Sequence, residues 1–330
     1  MTTTKQAFLE SAETTDRFQI LSLDGGGIKG ILSAAILAAI ESDLGTSVTD
    51  HFDLIAGTST GGIIAIALGL GLRPKDIVEF YVCEGPKIFP NLCGVGLLKH
   101  LLLRKYSAQP LEDALKRRFA ERRFGESTKR LVIPSYSLGD DDVYIFRTPH
   151  LSRLRRDFKV PAWQVARATS AAPTYFPCAR NVDKLRLIDG GVWANNPALV
   201  ALTEVCGDRN LNIPLHAIRM LSIGTSNAIP HRRRFLDFGG RAAWGLSGTA
   251  VDIILRGQSK GVNNQIKLLL GDGHLERIDP NVPVGEFSLD GIGSANDLIA
   301  KAAHYSRMSM PNIEKKFGSH IAPPFNPIHQ

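Results

Sequence analysis

The sequence predicts an α/β protein with a central, mostly parallel sheet that is covered by helices on both faces. Short apolar runs at Phe18–Leu23 and Phe52–Ala56 predict buried strands, and each runs into a turn that contains glycine. Longer segments with helical character, Ile28–Leu44 and Thr60–Leu70, follow these strands. The second of these helices is almost continuously hydrophobic, which indicates burial on most sides. Alternation of strands and helices is typical of such sheets.

The same alternation continues along the chain. Further strands are predicted at Leu131–Ser137, Val143–Arg147, Leu185–Ile188 and Ile218–Ile223. Further helices are predicted from Pro74 to about Tyr81, at Leu97–Leu103, at Leu111–Phe119, over 161–172, at Ala198–Val205 and over 243–271. The last ten residues are rich in proline and predict a tail without helix.

We expect a single domain over residues 18–330, with a motif-bearing core at 18–225 and a helical C-terminal part at 226–330. Residues 1–17 are polar and lack an apolar run, so they predict a loose lead-in and not a signal peptide. The uncharged stretch Leu54–Leu72 has nearly the length of a membrane span. Its many glycines are better explained by a strand, a tight turn and a buried helix.

The cysteines predict a reduced, cytoplasmic protein without a structural metal. The four of them form no CxxC pair and no zinc-binding spacing with histidine: Cys83, Cys93, Cys178 and Cys206. No other cofactor is predicted.

The net charge of +7 is concentrated in one segment. Residues 99–159 contain 15 Lys and Arg against 8 Asp and Glu, and the difference of +7 equals the whole excess. Solvated helix faces would explain this charge, as would a surface that binds lipid phosphates or an anionic regulatory ligand. A nucleic-acid polymer is not an expected partner, because no recognition motif accompanies the charge.

A first glycine loop follows the first strand. Gly25, Gly27 and Gly30 satisfy GxGxxG in the strand-to-helix context of a dinucleotide site. That site also needs an acid at the end of the next strand, whereas Asp53 lies at the beginning of it. Three consecutive glycines, with Gly26 between the other two, leave backbone N–H groups free at a helix N-terminus. Such a loop stabilises a compact anion, including the oxyanion of an acyl intermediate.

The second strand ends in Gly57-Thr58-Ser59-Thr60-Gly61, which is a GxSxG motif between a strand and a helix. A sharp turn there exposes the serine hydroxyl at the sheet edge. Gly57 and Gly61 remove side chains that would clash in the turn, and the N–H of Thr60 is available to an oxyanion. Ser59 is therefore the predicted nucleophile.

A serine nucleophile needs a proton acceptor. Asp189 follows a predicted strand and precedes Gly190 and Gly191, so its carboxylate should emerge at the same sheet edge as Ser59. An Asp–Gly turn would explain the same residues without catalysis. His216, His274 and His304 could complete a triad by chain order, although none follows a convincing strand end.

Together these motifs resemble the patatin-like phospholipase family. DGGGIKG, GTSTGG and DGG occur in the family's order, and the segments ARATSAAPTYFP and NNP lie before and after DGG as they do in the family. The resemblance covers residues 18 to 225. It implies a three-layer α/β/α sandwich and a Ser59–Asp189 dyad without histidine or metal.

The resemblance also implies that Ser59 attacks the ester carbonyl and that Gly25, Gly26 and Gly27 hold the oxyanion. It implies membrane phospholipid as the substrate, bound at the inner face of the membrane. Some similar bacterial proteins are antiphage effectors that cyclic nucleotides activate, and segment 99–159 could bind such a ligand. The alternatives are a catalytically silent lipid- or nucleotide-binding regulator and a dinucleotide oxidoreductase.

Overall fold

The computed structural model describes residues 17–90, 104–229, 249–283, 286–287 and 289–329. The strands are β1 (Phe18–Leu23), β2 (Leu54–Gly57), β3 (Arg130–Ser137), β4 (Asp142–Arg147), β5 (Leu187–Asp189), β6 (Ile218–Ile223), β7 (Asn227–Ile229), β8 (Leu275–Ile278) and β9 (Asn281–Pro283). The helices are α1 (Gly30–Leu44), α2 (Thr60–Gly69), α3 (Pro74–Ile88), α4 (Gln109–Phe119), α5 (Ala162–Thr169), α6 (Gly191–Ala194), α7 (Ala198–Cys206), α8 (Thr249–Leu270) and α9 (Ala295–Ile313).

Among the described residues, seven strands form one sheet in the order β4-β3-β2-β1-β6-β8, and β5 pairs with β3. The neighbours from β3 through β2, β1 and β6 to β8 are all parallel. β4 and β5 are both antiparallel to β3. β7 and β9 form a separate parallel pair. The predicted, mostly parallel sheet is therefore confirmed.

Helices cover both faces of this sheet. Successive side chains of a strand point to opposite faces, and those of β1 divide accordingly between two apolar clusters. Leu21 and Leu23 belong to a cluster with α1, α2 and the buried side of α9. Phe18 and Ile20 belong to a second cluster with α7 and α8. The result is the three-layer α/β/α sandwich.

The uncharged stretch Leu54–Leu72 consists of β2, a tight turn and α2, and every residue of α2 is buried. None of the described helices is long and apolar enough to cross a bilayer.

Several predicted boundaries shift. A single 3₁₀ turn at Gly27–Lys29 precedes α1, and α3 continues past Tyr81 to Ile88. Helix α5 covers 162–169 where 161–172 was predicted, and the strand predicted at Leu185–Ile188 is Leu187–Asp189. The helix predicted at Leu97–Leu103 lies outside the described residues, as do Cys93 and residues 1–16 and 230–248.

Helix α9 has no individual counterpart in the sequence prediction. Its residues Leu298, Ala302 and Ile313 are buried in the same cluster as α1. The long helix predicted over 243–271 corresponds to α8 where it is described, and the described tail, residues 319–329, has no helix.

Candidate active site

The turn between β2 and α2 presents Ser59 in a strained backbone conformation. Its φ of 55° and ψ of −122° lie in a region that non-glycine residues rarely adopt. A Cβ atom on Gly57 would lie 2.1 Å from the carbonyl oxygen of Gly61, and one on Gly61 would lie 2.2 Å from that of Leu23. Glycine is therefore required on both sides of the serine. The Ser59 N–H donates to Thr169 Oγ1 at 3.0 Å, which fixes the turn to α5.

Ser59 and Asp189 are in direct contact. The Ser59 hydroxyl donates to Asp189 Oδ2 at 2.6 Å. The second oxygen, Oδ1, accepts the N–H of Gly191 at 2.7 Å. The carboxylate is thus held between the candidate nucleophile and the backbone of α6.

Asp189 reaches the sheet edge that carries Ser59 at the end of an antiparallel strand and not of a parallel one. β3 continues beyond Val132, its last residue paired with β2, to Ser137. β5 pairs antiparallel with this extension, with Asp189 opposite Ser135. The end of β5 therefore points back toward the end of β2. Gly190 packs against β3 so closely that a Cβ atom there would lie 2.4 Å from the carbonyl oxygen of Pro134.

Burial makes Asp189 a stronger base than an exposed carboxylate. The residue is 5% exposed, and burial raises the pKa of its carboxyl from 3.8 to about 6. The hydrogen bonds from Ser59 and Gly191 oppose the increase because they stabilise the charged form. At neutral pH the group is ionised and able to accept a proton.

The first glycine loop lies against this pair. A Cβ atom on Gly25 would lie 3.2 Å from the Cβ of Ser59, and one on Gly26 would lie 2.1 Å from Thr225 Oγ1. Gly27 has a φ of +59°, a conformation that favours glycine. The sequence alone would not reveal this close packing of Thr225 against the loop.

The three glycines of this loop differ in whether their N–H groups already have a hydrogen-bond acceptor. The N–H of Gly25 already donates to the carbonyl oxygen of Asn195 at 2.9 Å. The N–H groups of Gly26, Gly27 and Thr60 have no acceptor among the described residues. The N–H groups of Gly26, Gly27 and Thr60 are therefore available to an oxyanion. The N–H of Gly25, which the sequence analysis also assigned to the oxyanion, is not.

Thr60 is itself fixed by neighbours. Its hydroxyl lies 2.5 Å from the hydroxyl of Tyr81 on α3, which also donates to the Thr60 carbonyl oxygen at 3.2 Å. A Cβ atom on Gly30 would lie 2.1 Å from Thr60 Oγ1, so α1 approaches the turn only because position 30 is glycine.

A buried ion pair behind the glycine loop was not predicted from the sequence. Arg277 on β8 donates to both carboxylate oxygens of Asp24, at 2.8 and 2.6 Å, and to Asp279 at 2.7 Å. Ser259 on α8 donates to Asp24 at 2.9 Å. Burial opposes the charge of Arg277, but the two carboxylates raise its pKa overall. Because Asp24 immediately precedes Gly25, the C-terminal part of the chain anchors the loop.

The histidines considered for a triad lie elsewhere. His216 and His274 come just before β6 and β8, at the opposite edge of the sheet. His304 is exposed on α9. The acceptor for the Ser59 hydroxyl is the carboxylate of Asp189.

Comparisons with known proteins agree with this architecture. The family model of the patatin-like phospholipases matches residues 21–202. The chain is 30% identical to a cGAMP-activated phospholipase of Pseudomonas aeruginosa (strain BWHPSA011 / Pa011), over 92% of this chain and 93% of that protein. It is 30% identical to a cGAMP-activated phospholipase of Escherichia coli (strain TW11681), over 95% of each chain. It is 31% identical to patatin-like protein 1 of Arabidopsis thaliana, over 90% of this chain and 79% of that protein. The chain belongs to the patatin-like phospholipase family.

Proposed function

We propose that this protein is a serine lipid acyl hydrolase of the phospholipase A type. The observation that carries the proposal is the 2.6 Å hydrogen bond from Ser59 to a buried carboxylate, Asp189, at a strained strand-to-helix turn. The free N–H groups beside this pair support it, since they provide what a developing oxyanion needs.

The proposed reaction begins when Ser59 Oγ attacks the ester carbonyl and Asp189 accepts the hydroxyl proton. The oxyanion of the tetrahedral intermediate accepts hydrogen bonds from the N–H groups of Gly26, Gly27 and Thr60. Collapse of the intermediate breaks the ester bond, and the leaving alkoxide takes the proton from Asp189. Asp189 then accepts a proton from water, whose oxygen attacks the acyl-enzyme. Ser59 regains the proton as the fatty acid leaves.

The proposed substrates are membrane glycerophospholipids. The family of the chain and the names of its relatives support this class. We place the active protein at the inner face of the membrane, where it would act as a peripheral enzyme.

Activation by a cyclic nucleotide is the finer part of the proposal. Two relatives that align over nearly the whole chain carry the name cGAMP-activated phospholipase. By this analogy the hydrolase is inactive until the nucleotide binds, and it then degrades membrane lipid in defence against phage.

The test compares Ser59→Ala and Asp189→Ala with the wild type. Fatty acid release from phospholipid vesicles is measured with and without cGAMP, and a fluorophosphonate probe reports labelling of Ser59. Ser152→Ala, in an exposed loop, is the matched control and should behave as the wild type. Both site variants should lose release by at least about 1,000-fold while they stay folded, as is typical when a nucleophile or its base is removed.

Full activity in Ser59→Ala would end the proposal. Failure of the probe to label wild-type Ser59 in the presence of cGAMP would favour a catalytically silent regulator on the same fold. Release that is the same with and without cGAMP would remove only the proposed activation.

A further inference from the structure

A polar cavity of about 430 Å³ lies at the edge of the sheet opposite Ser59. Its lining consists of six residues: Arg17, His216, Ala217, Arg219, Ser319 and His320. Arg17 immediately precedes β1, and Arg219 lies at the start of β6. The two strands are parallel neighbours, so the two arginines at their amino ends lie side by side in the cavity lining.

All the ionisable side chains that line this cavity are basic. Arg17 Nη1 donates to the neutral hydroxyl of Ser319 at 2.9 Å. Arg219 Nη1 donates to the backbone carbonyls of His216 and Ile218 at 3.0 and 3.2 Å. The described part of the chain places no carboxylate within ion-pairing distance of either guanidinium. Two positive charges therefore lie in one concave site without an opposite charge beside them. Such a site attracts an anion.

Arg17 and Arg219 line the same cavity, so their positive charges repel each other. Burial lowers the pKa of Arg219, and the nearby charge of Arg17 lowers it further. The pKa of His274, just before β8, is lowered by burial and then by both arginines and His216. An anion in the cavity would relieve this repulsion.

The acid that contacts a residue of the cavity lining is Asp53, which lies against His320. Asp53 Oδ2 accepts the N–H of Gln19 and lies 2.8 Å from Nε2 of His320. His51 Nδ1 lies 2.8 Å from the carbonyl oxygen of His320. Asp53 is thus buried behind the cavity, where it orients His320 and leaves the arginines uncompensated.

Several basic side chains of segment 99–159, by contrast, pair with acids where the segment is described. Arg117 pairs with Glu84 at 2.8 Å, and Arg156 pairs with Asp157 at 2.7 Å. Part of the positive charge that is concentrated in this segment is therefore neutralised within the protein.

The cavity is too far from Ser59 to hold the headgroup of a lipid that is being cleaved. β1 has six residues between Arg17 and the glycine loop, which span about 20 Å at about 3.3 Å per residue. The cavity and the candidate active site lie at opposite ends of this strand. An anion bound here is therefore a separate ligand and not part of the substrate.

We propose that this cavity binds a small molecule that carries a phosphate group. Paired guanidinium groups bind phosphate oxygens with two hydrogen bonds each, and the volume is that of a site for a small organic ligand. Arg17 and Arg219 hold the phosphate oxygens, and His216 and His320 face the same space. The phosphate belongs either to free inorganic phosphate or to a nucleotide. The second case would locate the activator of the proposed function and rests on that proposal.

The test is isothermal titration of the purified full chain with inorganic phosphate and, separately, with cGAMP. The variants are Arg17→Gln, Arg219→Gln and the double substitution. Arg209→Gln, on an exposed turn, is the matched control. At least one probe should bind the wild type, each single variant should bind at least tenfold more weakly, and the control should be unchanged. Arg17 and Arg219 have no ion pair to lose among the described residues, so the variants should stay folded, and circular dichroism checks this.

Binding of inorganic phosphate alone identifies the ion as the ligand, and binding of cGAMP identifies the nucleotide. Absence of binding by both probes, or equal binding by the folded double variant, would overturn the proposal. If Arg219→Gln does not fold, Arg17→Gln and His216→Gln decide the question, because His216 is exposed and Arg17 is only half-buried. Ser59→Ala should bind as the wild type does, so a failure of the hydrolase proposal is distinguishable from a failure here.

Discussion

Replacement of Asp189 by asparagine should abolish hydrolysis and stabilise the fold at the same time. Burial raises the pKa of the Asp189 carboxyl from 3.8 to about 6. One tenfold change in an ionisation constant corresponds to about 1.4 kcal/mol, so at pH 8 the buried charge costs the folded state about 3 kcal/mol relative to the unfolded chain. Asparagine keeps the shape and an oxygen that accepts the N–H of Gly191, and it carries no charge to desolvate.

The gain in stability should depend on pH in one direction. Because folding raises the pKa of Asp189, the folded protein binds a proton between pH 3.8 and about 6 while the unfolded chain is already ionised. The penalty in the wild type is therefore absent below about pH 4 and grows as the pH rises to about 6. Asp189→Asn should exceed the wild type in its free energy of unfolding by up to about 3 kcal/mol at pH 8 and by only about 1 kcal/mol at pH 4.5.

Urea denaturation at pH 8 and pH 4.5, followed by circular dichroism, measures both free energies of unfolding. Asp208→Asn, at an exposed position, is the control and should change the free energy of unfolding by no more than about 0.5 kcal/mol. A variant that is less stable than the wild type at pH 8, or one whose advantage persists unchanged at the lower pH, would refute the reasoning. Retained hydrolysis would refute the role of Asp189 as the base.

Two further predictions follow from the site. The kcat/KM of the wild type should fall about tenfold for each pH unit below about 6, because a protonated Asp189 cannot accept the hydroxyl proton; a profile on a soluble ester that is flat down to pH 5 would contradict this. Arg277→Met should lower the free energy of unfolding by about 3–5 kcal/mol, because Asp24 is left buried without its ion pair. Adding Asp24→Asn should recover part of that loss in urea denaturation at pH 8, and a loss below about 1 kcal/mol in the single variant would contradict the assignment.

The sequence predicted the strand-to-turn-to-helix units well because their determinants are local. The apolar run Phe18–Leu23, the glycines after it and the helical segment that follows lie within one stretch of chain, and the same holds around Ser59. The C-terminal elements were harder to predict. Helix α9 is amphipathic and packs its apolar side against α1, and such packing supplies most of the stability of helices in proteins.

The sequence predicted that Asp189 lies at the same sheet edge as Ser59. The structure places it there, but by a different route from the one predicted. A parallel strand would have delivered the carboxylate by its carboxyl end, as β2 delivers Ser59. β5 is antiparallel and reaches the same place because β3 extends beyond β2. Strand direction depends on pairing with a distant segment, which no local pattern specifies.

By itself, the sequence determined the sharp turn that exposes Ser59 and the glycine loop beside it, because both depend on residues that have no side chain to clash. Only the tertiary structure decided which atoms meet there. It joins Ser59 to Asp189 across 130 positions and Asp24 to Arg277 across 253. It also gives the N–H of Gly25 to Asn195, and so leaves Gly26 and Gly27 for an anion. These contacts are set by the packing of whole layers, and so they lie beyond the reach of local sequence.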